Sequence, residues 1–247
     1  MRFENSTAVV TGAGGGAGEA IARALCAEGA SVTAVDLKPE PDGLPTACAY
    51  LRADVAAPGI AEEAVASAAP DGRLDYLVNA AAVGWFGRDR SCVDTPEEVW
   101  DQVLAINLTA PMRFARAAVP AMRRAGGGAM VHVASIAGLR GMDEPMDAYQ
   151  VSKAGLISLS RGLAVHLAPE GIRSNTVCPG ALETPMVAEI YADDPQRRER
   201  MAARTPLRRL GRPDDIAAAT LHLLSAEASF VTGTDYVADG GWFAILR

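Results

Sequence analysis

The sequence is poor in the residues that staple, chelate or span. Its four cysteines, Cys26, Cys48, Cys92 and Cys178, lie far apart with no Cys-x-x-Cys pair, which argues for reduced thiols rather than a disulfide framework or a zinc site. His132, His166 and His222 are equally scattered, with no His-Glu-x-x-His spacing, so no metal is expected. No uncharged apolar stretch approaches the roughly 20 residues of a membrane span. Basic residues are outnumbered, 23 against 30 acidic ones for a formal charge of -7, the wrong sign for a nucleic-acid partner. An apolar run begins at Thr7 and leaves no space for a signal peptide, so the cytoplasm is the expected location.

What the chain does have is apolar substance: 49% of its 247 residues are hydrophobic and 21% charged. A chain of this size buries roughly 70–75% of the surface its unfolded form exposes, enough for one domain across residues 1–247. Short Val, Ile and Leu runs alternate with longer Ala-rich segments. This is the pattern of repeated βαβ units. Strands are expected at Thr7–Thr11, Ser31–Asp36, Ala47–Ala53, Leu74–Asn79, Ala129–Ala134, Arg173–Cys178 and Asp235–Ala238. Several are nearly continuous apolar runs, as in a sheet covered on both faces. The fold class is therefore α/β: a three-layer, doubly wound parallel sheet of Rossmann type in a single domain.

Thr95-Pro96-Glu97-Glu98 predicts a helix opened by a capping box, with Thr95 as N-cap and Pro96 as first helical residue. Pro111 falls inside the same apolar pattern. It has no N–H to give the Asn107 carbonyl, so a kink is expected there, with a freed oxygen able to hold a water near Lys153.

The first predicted strand runs into Thr11-Gly12-Ala13-Gly14-Gly15-Gly16-Ala17-Gly18, and a helical segment follows. Strand, glycine turn and helix N-terminus together form a cradle for a pyrophosphate, so Gly12, Gly15, Gly16 and Gly18 are candidate cofactor residues. The second strand ends in Asp36, about twenty residues past the loop, where a carboxylate can accept hydrogen bonds from both adenosine ribose hydroxyls. It would repel a 2′-phosphate, and the loop holds no cation to neutralise one. Asp36 thus points to NAD over NADP, with Lys38 the only nearby cation.

Thr11-Gly12-x-x-x-Gly16-x-Gly18, Asn79-Ala80-Ala81, Asn107, Ser135, Tyr149-x-x-x-Lys153 and Pro179-Gly180 stand in the order and spacing of the short-chain dehydrogenase/reductase family, which the chain resembles over nearly its whole length. Ala82 departs from the family's usual Gly. The resemblance implies that Tyr149 is the acid/base catalyst and that Lys153 binds the nicotinamide ribose. It implies that Asn107 supports a water linking the lysine to solvent. Ser135 would orient the reacting oxygen from the end of its strand; a nucleophilic serine is disfavoured because no Gly-x-Ser-x-Gly elbow surrounds it. Asp54 and Val55 resemble the adenine contact, Thr184 after Pro179-Gly180 the carboxamide contact, and Asn79 would order the central strand beside the cofactor. On its own chemistry, an ammonium close to Tyr149 is expected to lower the phenol's pKa.

Residues 181–211 form a long insertion of the kind that makes lids, with Leu182, Met186, Val187, Ile190, Tyr191 and Met201 as apolar members. Trp85, Phe86, Met142 and Met146 are candidates to complete the pocket. The lid also carries Arg197, Arg198, Arg200, Arg204, Arg208, Arg209 and Arg212. These are read first as a solvated face paired with Asp193, Asp194, Glu199 and Asp214, and second as a seat for an acidic substrate tail. The whole predicts an NAD-dependent oxidoreductase interconverting a secondary alcohol and a ketone. A 3-oxoacyl-thioester reductase, usually NADPH-linked, is the enzymatic alternative, and a non-catalytic NAD-sensing regulator the non-enzymatic one. A homotetramer is implied by the resemblance, with the apolar tail Asp239–Leu246 buried against a neighbour.

Overall fold

Val9 and Val10 are adjacent in the first strand and face opposite ways. Val10 joins Ile21, Leu25, Ile216 and Leu221 on one side of the sheet, while Val9 joins Val65, Leu77, Phe114 and Met122 on the other. Both faces are dry, which is why the strand reads as an unbroken apolar run rather than an alternating one.

The computed structural model describes residues 1–245, apart from the side chains of Met186, Glu189, Ile190, Tyr191 and Pro195. Seven strands, β1 (Thr7–Thr11), β2 (Ser31–Asp36), β3 (Cys48–Arg52), β4 (Tyr76–Asn79), β5 (Gly128–Val133), β6 (Ile172–Pro179) and β7 (Asp235–Ala238), form one sheet in the order β3-β2-β1-β4-β5-β6-β7. Every pairing is parallel. The helices are α1 (Gly16–Ala27), α2 (Ile60–Ala68), α3 (Glu97–Leu104), α4 (Ala110–Ala125), α5 (Asp147–Leu167), α6 (Pro185–Asp193), α7 (Pro195–Arg204) and α8 (Pro213–Leu224). Residues of α1 and α8 cover one face, and residues of α2 and α4 the other. The strand order reverses between β1 and β4, the point at which an open α/β sheet leaves a crevice at its carboxyl edge.

Arg173 on β6 shows how the sheet holds its helices. Its guanidinium donates to the carbonyls of Leu223, Leu224 and Ser225 at 2.6, 2.9 and 3.0 Å, giving partners to oxygens that the end of α8 leaves free.

The expected capping box does not form. The Thr95 hydroxyl instead accepts from the Arg90 N–H at 2.9 Å and donates to the Ser91 carbonyl at 3.0 Å. Its capping capacity is spent on the preceding loop, and Pro96 stands at the N-cap position without a side-chain bond. At Pro111 the missing N–H is met by a π turn, Ala105–Thr109, between α3 and α4, a widening that absorbs the lost donor and brings Asn107 inward.

Candidate active site

The glycine loop is tight because backbone crowds it. Gly12 has φ of 75°, and a Cβ there would lie 2.5 Å from the Ala81 nitrogen. A Cβ on Gly18 would lie 2.1 Å from the Gly12 oxygen, so only glycine lets α1 start this close to β1. Gly15 is the N-cap of α1 and supplies no side-chain cap; its neighbours Gly16, Ala17 and Gly18 line the cleft with it. Thr11 holds the loop to the next strand, its hydroxyl accepting from the N–H groups of Ala80 and Ala81, both at 3.2 Å.

Asp36 turns towards this loop. One carboxylate oxygen accepts from the Gly14 N–H at 2.8 Å and the other from the Lys38 N–H at 2.9 Å, which fixes the group at the cleft wall and leaves further lone pairs for a ligand. Asp54 and Val55 line the same end, Asp54 shaped by an Asx turn to the Ala56 N–H at 2.9 Å.

At the other end the structure brings together Ser135, Tyr149 and Lys153, with Pro179, Gly180 and Thr184 nearby on the cleft wall. Ser135 follows β5, and its hydroxyl accepts from the Ala137 N–H at 3.1 Å. Lys153 is 2% exposed, and its ammonium donates to the Val133 carbonyl at 2.8 Å while lying 5.6 Å from the centre of the Tyr149 ring. Burial pulls the Lys153 pKa down to about 8, against a smaller opposing effect of Cys178. Burial also pushes the Tyr149 phenol up, partly opposed by the Ser135 hydroxyl. The expectation of a lowered phenol is therefore reversed: loss of water around Tyr149, helped by the nearby Cys178 thiol, outweighs the Ser135 hydroxyl, while the ammonium is spent on the Val133 carbonyl.

Asn79 and Asn107 lie behind the wall rather than on it. The Asn107 side chain is fully buried; it accepts from the Val83 N–H at 2.8 Å and donates to the Val83 carbonyl at 2.9 Å and the Ser152 hydroxyl at 3.1 Å. It thereby clips the loop after β4 to the helix that carries Tyr149 and Lys153. Asn79 bonds the His132 ring at 3.0 Å, and His132 meets Ser174 at 3.3 Å, which meets Ser160 at 2.9 Å. This polar thread crosses three strands to α5. Burial lowers the His132 pKa to about 4, so the ring is neutral and its role is to bond, not to titrate. Among the described residues no three His, Cys, Asp or Glu side chains converge on a point, and no helix is long and apolar enough to cross a membrane.

The cleft encloses about 1140 Å³, above the usual range of roughly 300–1,000 Å³ for one small ligand, so it has room for a dinucleotide and a second molecule. Phe86, Met142, Met146, Leu182, Val187 and Met201 line its mouth. Trp85 does not; it packs instead with Val99, Val103 and Ala148. The expectations for the side chains of Met186, Ile190 and Tyr191, and for Leu246, fall outside the described residues. Trp242 and Phe243, read from the sequence as part of a tail that meets a neighbouring subunit, fold back to line the cleft under Arg204 and Arg140 at 5.6 and 3.9 Å from the ring centres. Five of the seven lid arginines pair with acids, mostly not those expected: Arg197 with Glu144, Arg204 with Asp143, Arg198 with Glu183, Arg209 with Asp215, and Arg200 with Asp194. The first two strap α7 to the loop ahead of α5.

Comparison with known proteins agrees with this geometry. Residues 12–243 match the family described as enoyl-(acyl carrier protein) reductase. A 2-(S)-hydroxypropyl-CoM dehydrogenase of Xanthobacter autotrophicus is 36% identical, over 99% of both chains. The cyclohexanol dehydrogenase of an Acinetobacter species is also 36% identical, over 98% of this chain and 96% of its own. The solved structure of a Burkholderia xenovorans short-chain dehydrogenase/reductase superposes with a TM-score of 0.93 at 35% identity, covering 100% of this chain and 99% of that one. The chain belongs to the short-chain dehydrogenase/reductase family. It is an oxidoreductase acting on CH–OH groups, and members of this family typically use a nicotinamide cofactor. The glycine cradle, which a single Cβ would fill, and the cleft volume both fit such a group.

Proposed function

We propose that this dehydrogenase oxidises a small secondary alcohol to a ketone with NAD, and runs the reverse reaction, with Tyr149 exchanging the proton. The observation that carries the reading is the gathering of Ser135, Tyr149 and Lys153 on one wall of a cleft whose far end is the glycine loop and Asp36. NAD would be held by the backbone of Gly12, Gly15, Gly16 and Gly18 at its pyrophosphate, by Asp36 at the adenosine ribose, by Asp54 and Val55 at the adenine, and by Lys153, Pro179, Gly180 and Thr184 around the nicotinamide. Bound there, the nicotinamide supplies the hydride acceptor.

The protein's own residues handle the proton. Ser135 donates to or accepts from the reacting oxygen and fixes its direction. Tyr149 takes the hydroxyl proton at Oη during oxidation and returns one during reduction. Lys153 supplies positive charge beside the Tyr149 phenolate, which accepts the proton during oxidation and forms during reduction. Asn107 and Asn79 hold the frame through the bonds given above. The cleft lining, with Phe86, Met142, Met146 and Leu182 beside Arg140, Arg197, Arg200 and Arg204, suits a substrate with an apolar body, and the arginines leave room for an acidic group on it.

Asp36 supports NAD because a fixed carboxylate repels a 2′-phosphate. The test is NADH formation over a panel of neutral and acidic secondary alcohols, with NADP in parallel. The native enzyme will prefer NAD, and Asp36→Ala will narrow that preference by about ten- to a hundredfold in kcat/KM, equivalent to about 1.4–2.8 kcal/mol. A native enzyme that prefers NADP would overturn the assignment.

Exposed Val151 and Val165 on α5, with exposed Phe230 and Tyr236 near the edge strand β7, support the homotetramer. Sedimentation equilibrium will give four times the chain mass; a stable monomer refutes the assembly without touching the chemistry.

A further inference from the structure

The helix that carries Tyr149 has no cap of its own. Its N-cap, Met146, offers no side-chain bond, yet the first-turn N–H groups need acceptors because no earlier helical carbonyl faces them. They find them in a loop some sixty residues away in the chain. The Asp147 N–H donates to the Arg90 carbonyl at 2.9 Å. The next two amides, Ala148 and Tyr149, donate to the two oxygens of one carboxylate, Asp89, at 3.2 and 2.9 Å. Asp89 is 1% exposed.

Resting on the function proposed above, we infer that Asp89 is a positioning residue for Tyr149, setting where the phenol stands in the cleft by holding that residue's own backbone. Two adjacent amides matched to two oxygens leave the first turn little freedom to rotate. A carboxylate suits the place: it accepts at both oxygens and its charge is favoured at the positive end of a helix. Asp89 is itself held, since its N–H donates to the Trp85 carbonyl at 2.8 Å, and the Trp85 ring packs in one cluster with Ala148. Between them lies Phe86, on the cleft wall. One short loop thus supplies both a side chain of the pocket mouth and the anchor of the tyrosine, so their separation is fixed by a few covalent bonds.

The test compares Asp89→Asn and Asp89→Ala with Asp75→Asn. Asp75 also caps backbone, accepting from the Thr7 N–H at 2.8 Å, but at the opposite edge of the sheet. Steady-state kinetics are read together with hydrogen exchange at individual amides. Asp89→Ala will lower kcat by about ten- to a hundredfold with KM for NAD moved less than about twofold, as expected for misplacement of a reacting group without loss of cofactor binding. Asp89→Asn, which keeps one acceptor, will fall between, and carries the test if the alanine variant does not fold. The ascending limb of kcat against pH will shift in both variants because the phenol's surroundings change, and the Ala148 and Tyr149 amides will exchange faster. An unchanged kcat in Asp89→Ala, an equal loss in Asp75→Asn, or a loss confined to the KM for NAD overturns the inference. If the native enzyme turns over no alcohol, the proposed function falls, while exchange still decides the anchor: unaltered protection of Ala148 and Tyr149 in both Asp89 variants refutes it.

Discussion

Tyr149→Phe will lower kcat by about 10²–10⁴-fold, the usual worth of a positioned acid/base, while NADH still binds. The ring sits with its hydroxyl beside that of Ser135, and the substitution removes one oxygen while keeping the apolar body in place. Cofactor affinity and melting temperature therefore serve as the controls: both hold if only the proton path is lost. The pH profile gives an independent check. Burial raises the Tyr149 phenol, so in the protein free of ligands the base form is scarce at neutral pH, and kcat/KM for alcohol oxidation will climb with pH until that group has lost its proton. Reduction of the ketone uses the protonated form and will not show this climb. A Tyr149→Phe enzyme that retains native kcat at any pH would remove the tyrosine from the mechanism and return attention to Ser135.

The same residue marks where sequence reasoning succeeds and where it stops. Strand bounds were legible where a strand is dry on both faces and so nearly apolar throughout; Thr7–Thr11 and Ser31–Asp36 stand as read. The glycine loop was legible because a positive φ at Gly12 and the backbone contacts at Gly12 and Gly18 admit no other residue. The sign of the Tyr149 shift was not, since proximity of Lys153 is visible in a four-residue spacing and depth of burial is not. Thr95 misled because a hydroxyl can bond either forwards into a helix or backwards into a loop, and only the fold decides. Asp89 was invisible for a different reason: its partners are 59 and 60 residues away, and no local pattern marks a cap supplied from such a distance. The tail's apolarity fits a neighbouring subunit and its own cleft equally well, and the placement of Trp242 and Phe243 along the cleft has no local mark in the sequence.

Lys153→Met will do two opposite things, and their pH dependence separates them. Activity will fall by about 10²-fold or more, because the positive charge beside the phenolate is gone. Stability at neutral pH will rise. The ammonium is buried with one carbonyl partner, Val133, and burial takes its pKa from 10.5 to about 8. A base whose folded-state pKa lies below its unfolded one binds its proton more weakly in the fold. Between about pH 8 and 10.5 the unfolded chain therefore holds more protons, and native stability climbs with pH across that window. Below it the fold bears the full penalty of a buried charge. Methionine removes the penalty but strands the Val133 oxygen, worth about 1 kcal/mol in return. The net gain at neutral pH is about 1–3 kcal/mol, shrinking as pH rises through the window and gone above it, where the native lysine is neutral in both states. Urea unfolding at pH values on either side of the window measures this directly. A variant less stable than the native enzyme at neutral pH would mean that the bond to Val133 outweighs the burial of charge, and that Lys153 serves the fold as well as the reaction.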